Sequence, residues 1–125
     1  MLEAYSLNVT VPTNTAIPFN SVSFDKGCTV TLNGTNSVEL NKCGVYMVAC
    51  DASLGTATTI QLYKNGIAQA QAQSTGTSPA FETLVQVSEN NTCCPCTSPT
   101  TLQVLNVGEA EATFDNINLV VTKVV

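Results

Sequence analysis

The stretch Cys43-Gly44-Val45-Tyr46-Met47-Val48-Ala49-Cys50-Asp51-Ala52-Ser53 decides how the chain reads. From Val45 to Ala49 no side chain is charged. Strand side chains alternate between faces, so Val45, Met47 and Ala49 point one way and Tyr46, Val48 and Cys50 the other. Both sets are largely apolar, and a strand that is apolar on both faces needs cover on both. Residues 117–125 repeat the pattern, with Ile117, Leu119 and Val121 on one side and Val120 and Val124 on the other.

Around these two segments the chain is a run of short strands and turns. Leu7, Val9 and Val11 alternate with polar residues until Pro12, which cannot donate to a sheet ladder. Ile17, Phe19, Val22 and Phe24 form a second extended segment with a bend where the alternation slips. Asn33-Gly34 and Asn65-Gly66 each sit between apolar-alternating runs and read as hairpin turns chosen for positive φ. Phe81, Thr83, Val85 and Val87 alternate with more polar neighbours, as do Leu102 and Val104. No window holds a 3.6-residue period, so the class is all-β, a sandwich or barrel.

The 125 residues suit one domain, residues 1–125, with residues 1–14 as an N-terminal strand and attachment segment. A chain of this mass exposes roughly 6,000–6,500 Å² when folded and can hold a core without metals or disulfides. Charged residues are only 10% of the chain, against about a quarter in ordinary domains, and Thr, Asn, Ser and Gln take their place. The net charge is −5, and the four cations, Lys26, Lys42, Lys64 and Lys123, are scattered singly. That excludes nucleic-acid binding, which needs clustered cations, and argues against an anionic membrane surface. No apolar run has the length to span a bilayer, and the N-terminus lacks the basic and apolar regions of a signal peptide. Synthesis in a host cytoplasm, without export by that route, is the expectation.

Catalysis has little to work with. There is no histidine, so the commonest general base and the Ser-His and Cys-His pairs are missing. Asp25, Asp51 and Asp115 read as solvated acids rather than a carboxylate pair or calcium site. No cofactor or metal is expected. The loop Cys93-Cys94-Pro95-Cys96 lacks the second ligand pair that structural zinc wants. It reads as a loop pinned by disulfides, or as thiols. Cys43 and Cys50 on one strand lie about 23 Å apart, beyond disulfide reach. Cys28 and Cys43 flank the Asn33-Gly34 hairpin and are the expected disulfide. Tyr63 and the Gln69–Gln73 run fit glycan binding and a solvated polar face equally well.

Two strands needing cover twice, among others needing it once, point to a two-sheet sandwich whose one outer face is buried by another copy. The alternative is that Val and Thr are merely good strand formers that tolerate exposure. Ala16-Ile17-Pro18-Phe19-Asn20, Cys43-Gly44-Val45-Tyr46, Leu62-Tyr63-Lys64-Asn65-Gly66, Leu102-Gln103-Val104-Leu105-Asn106 and Phe114 follow in an order that resembles the C1q/TNF-like jelly roll. The likeness runs from Ile17 onward. It is similar to the C-terminal domain of bacterial collagen-like spore-surface glycoproteins and to small proteins of phages of gut Firmicutes, without the Gly-X-Y stalk of the former.

The resemblance implies a ten-strand antiparallel jelly-roll sandwich that assembles as a homotrimer. Its axis-facing sheet would hold the strands at residues 7–11, 44–52, 81–87 and 117–125. Tyr46, Val48, Leu119 and Val121 are the expected trimer-interface residues, although parity leaves open which face meets the axis. The function implied is non-enzymatic: a phage capsid decoration or head-fibre protein on the virion surface, with a capsid or other virion protein as partner. A trimeric module for host-surface glycans and a spore or cell-surface protein are the alternatives.

Overall fold

Asn65 and Gly66 hold φ at 51° and 80°, the left-handed pair a two-residue hairpin needs. The turn pins Lys64 opposite Ile67 and so joins two strands in register. Gly34, at φ 69°, sits in the turn of a second hairpin. Turns like these divide the computed structural model, which describes residues 1–87 and 100–125, into eleven strands. They are β1 (Leu2–Val11), β2 (Thr15–Ala16), β3 (Ser21–Asp25), β4 (Val30–Asn33), β5 (Ser37–Leu40), β6 (Gly44–Leu54), β7 (Thr58–Lys64), β8 (Ile67–Gly76), β9 (Ala80–Val87), β10 (Thr100–Asn106) and β11 (Ala112–Lys123).

The strands form two antiparallel sheets. The first has the order β3-β1-β11-β6-β9; the second has β4-β5-β10-β7-β8, with the two-residue β2 also on β10. From β6 onward the chain crosses between sheets: β6 in the first, β7 and β8 in the second, β9 in the first, β10 in the second, β11 in the first. This is the jelly-roll sandwich expected, with one more strand than the ten implied. The expected axis-facing strands do share a sheet, as β1, β6, β9 and β11.

Between the sheets lie Tyr46, Phe114, Leu2, Ile17, Leu40, Ile60 and Leu62, all fully buried. Burying a Leu, Ile or Phe side chain is worth roughly 1.5–3 kcal/mol. The chain exposes 6367 Å², inside the range for a compact protein of its mass. The core is therefore of ordinary size, and any surplus of apolar surface lies outside it.

Two local expectations change. The segment expected from Ile17 to Phe24 is not one strand. Ile17 and Phe19 enter the core, and Ser6 Oγ holds the bend by donating to Pro18 O (2.6 Å) and accepting from Asn20 N (2.8 Å). Only then does β3 begin at the sheet edge. In β1 the alternation of Leu7, Val9 and Val11 is broken by Asn8 at φ 52°, so Leu7 is exposed while Val11 is buried.

The polar anchor of the core is Asn106. Its Oδ1 accepts from Thr58 Oγ1 (2.7 Å) and Gly108 N (3.1 Å), and its Nδ2 donates to Val11 O (3.0 Å) and Ala110 O (3.2 Å). One side chain thus ties β1, β7 and β10 to the loop before β11. Buried donors and acceptors left unpaired cost about 1–3 kcal/mol each. Asn106→Ala should lower stability by about 3 kcal/mol, and Thr58→Val by about 1 kcal/mol. Urea denaturation midpoints measure both, and an Asn106→Ala midpoint equal to the parent would contradict the assignment.

Candidate functional site

Each sheet has one face in the core and one face outward, and the two outward faces differ. On the second sheet the outward rows are mostly polar: Thr59 lies opposite Thr75, with their hydroxyls 2.7 Å apart, Gln61 lies between Gln73 and the half-buried Leu105, and Tyr63 lies between Gln103 and Ala68. On the first sheet the rows run differently. One passes from Phe24 through Glu3, Val120 and Ala49 to Glu82. The next sets Thr122, Met47 and Leu84 side by side, and Val45 and Val124 lie beyond. Val45, Met47, Ala49 and Val120 are half-buried, while Leu84 (61%) and Val124 (50%) are open to solvent. Met47, Thr83, Leu84, Val124, Glu82 and Gln71 line a shallow depression of about 530 Å³ at the β9 edge.

The expected interface residues are not on this face. Tyr46, Val48, Leu119 and Val121 expose 2% or less and pack between the sheets, and the Tyr46 hydroxyl donates to Lys42 O at 2.6 Å. They have no surface left to offer a second chain. The reason is parity: Ala52 and Leu54 continue the Tyr46 side into the core, while Asp51 and Ser53 continue the Met47 side into solvent. The residues that sequence reasoning missed are the opposite set, together with Leu84 and Phe24. Leu84 carried a signal, as a lone leucine on the side of β9 shared with Glu82 and Gln86.

The expected Cys28–Cys43 disulfide is not formed. β4 and β5 pair Val30 with Leu40, a register that sets Cys28 opposite Lys42 and Cys43 on the other parity. Asn41 fills the space, its Nδ2 donating to Cys28 O at 2.9 Å. Cys28 is an exposed thiol; Cys50 is buried, and burial, with Asp51 beside it, pushes its pKa far up. Cys93, Cys94 and Cys96 lie outside the described residues. Among the described residues no group of three His, Cys, Asp or Glu stands close enough to hold a metal. Among the described residues no helix is long and apolar enough to cross a membrane.

Glu3, like Glu82 at the other end of its row, is a titratable group set among the apolar residues of the first sheet's outward face. Its carboxylate accepts from Ser23 Oγ and, at 3.3 Å, from Asn118 Nδ2, and these bonds hold its pKa below the usual carboxylate value.

No protein-family model matches the chain, and no curated protein sequence does. Solved structures do match. The PRD1 vertex protein P5 superposes with a TM-score of 0.67 at 11% identity, over 99% of this chain and 96% of that one. The globular domain of zebrafish complement 1qA protein gives 0.67 at 8% identity, over 95% and 94%. The Eiger TNF from S. frugiperda gives 0.67 at 15%, over 99% and 92%. The fold is the C1q/TNF-like jelly roll. At such identities the likeness carries architecture and nothing about ligands. Within this C1q/TNF-like jelly roll, the first sheet's outward face carries an apolar strip, Val45, Met47, Ala49 and Val120 with Leu84 and Val124, bordered by Glu3, Glu82 and Asp51.

Two measurements check the local chemistry. Alkylation of the native protein followed by peptide mapping should modify Cys28 quickly and spare Cys50 until denaturant is added; equal rates would contradict the burial. The Glu3 carboxyl, followed by NMR, should titrate below a free glutamate, and Ser23→Ala should move it back up. A depressed pKa stabilises the fold above the unfolded value and loses that contribution as pH falls through the folded one. Ser23→Ala should therefore weaken stability at neutral pH and leave it unchanged in acid.

Proposed function

We infer that this protein is a non-enzymatic structural protein, working as a homotrimer on the surface of a virion as a capsid decoration or short head fibre. The observation that carries the reading is the contrast between the two outward faces. One sandwich holds a full core, one outer face is Thr- and Gln-rich, and the other presents Val45, Met47, Ala49, Leu84, Val120 and Val124. Contiguous apolar patches on a soluble surface mark sites of association. Covering this one with copies of itself returns about 25 cal/mol for each Å² of apolar area removed from water. Closed cyclic symmetry limits the assembly to a discrete particle. Three copies are what the sequence resemblance to C1q/TNF-like domains implies.

The virion location is supported by the architectural likeness to the PRD1 vertex protein and by the resemblance to small phage proteins. The partner is then a capsid or other virion protein, with synthesis in the host cytoplasm. The resemblance to spore-surface glycoproteins keeps a spore or cell surface as the competing location, and proteomics of purified particles separates the two. The Gln- and Tyr-bearing outer face of the second sheet favours a second reading, recognition of host-surface sugars with avidity across the trimer. Binding to a glycan array would support it, and a blank array would leave decoration alone.

Light scattering on purified protein should give three times the 13.1 kDa chain mass. Val120→Glu should shift it to monomer while leaving the fold's circular dichroism intact. A parent protein that stays monomeric at micromolar concentration would overturn the assembly.

A further inference from the structure

A three-fold ring is heterologous: a patch on one copy meets a different patch on the next, so each copy must carry two complementary surfaces. The outward face of the first sheet has a feature at each edge that fits this need. At the β3 edge Phe24 stands out, 43% exposed, in the row of Glu3, with exposed Lys26 just past the strand. At the β9 edge lies the depression of about 530 Å³ between Met47, Leu84 and Val124, with Glu82 on its rim.

One edge therefore offers an aromatic ring with Lys26 and the carboxylates of Asp25 and Glu3 close by, and the other an apolar hollow beside the Glu82 carboxylate. Met47 suits the role of receptor, since a flexible thioether fills irregular gaps and packs favourably against aromatic rings. Of the four lysines, Lys64 and Lys123 donate to the backbone carbonyls of Gln86 and Val125, and Lys26 and Lys42 are the other two. Phe24 on β3 and the depression, which begins at Met47 on β6, are separated by β1 and β11, so one copy cannot bring its own ring to its own hollow. The pairing is available only between copies.

We propose that Phe24 of each copy seats in the Met47–Leu84–Val124 depression of the next, with Lys26 beside that copy's Glu82, and that this contact sets the direction and closure of the ring. The proposal rests on the trimer reading and adds its geometry. It makes β3, a short strand at the sheet edge, part of the interface.

Photo-crosslinking tests it. With p-benzoylphenylalanine at position 24 of the full chain, irradiation of mixed light and heavy-isotope protein should give light–heavy adducts on peptides carrying Met47 or Leu84. Adducts mapped elsewhere, in protein that light scattering shows to be trimeric, would overturn this contact and leave the trimer standing. A monomeric parent would overturn both. Charge exchange gives a second readout. Lys26→Glu and Glu82→Lys should each raise the dissociation midpoint concentration by up to about fivefold, and the double variant should restore it. A double variant no better than the singles would count against the pairing of Lys26 with Glu82.

Discussion

β6 is hydrogen-bonded on one side to β11, from Tyr46 to Leu54, and on the other to β9, from Gly44 to Asp51. Its edges are therefore closed to any partner, and its Tyr46–Val48–Cys50 side is spent on the core. What remains is the Val45–Met47–Ala49 side, which the sandwich cannot cover because both sheets already face inward. The outward rows of β11 and β9 extend that side into a continuous surface. The inner side chains of this strand hold the monomer together, and its outer ones form the surface on which the proposed assembly rests.

The scarcity of charge would shape how the proposed association works. With 10% charged residues and no clustered cations, long-range steering contributes little, and the driving force is water leaving apolar side chains. Assembly of this kind is weakly dependent on salt. The polar Thr and Gln rows of the second sheet face the other way, and would keep the assembled surface soluble without charge.

Much of this was legible in residue order. Asn65-Gly66 fixed one hairpin because few residue pairs tolerate positive φ, Gly34 alone supplies it in the other while Asn33 stays paired in β4, and Pro12 marked the end of β1. The doubly apolar stretches located β6 and β11 in one sheet. The choice of face was lost by stopping the parity count too early. Asp51 and Ser53 lie on the Met47 side, and Asn116 and Asn118 on the Val120 side, so polar residues at the strand ends point to the outward face. Asn8 and the Ser6-pinned bend at Pro18 were less readable, since a local φ flip leaves no periodic trace. The Cys28–Cys43 pairing failed by one position of register, the smallest error a hairpin permits and enough to reverse a side chain.

The central claim is that the outward side of β6 is covered by another copy of the chain. The chain has two methionines, Met1 and Met47, so methyl labelling of methionine gives two signals, one of them reporting from the middle of that side. In the presence of a soluble paramagnetic probe, the Met47 methyl should be shielded at high protein concentration and become progressively relaxed as the sample is diluted. A Met47 methyl fully relaxed by the probe at the highest concentration would contradict the account.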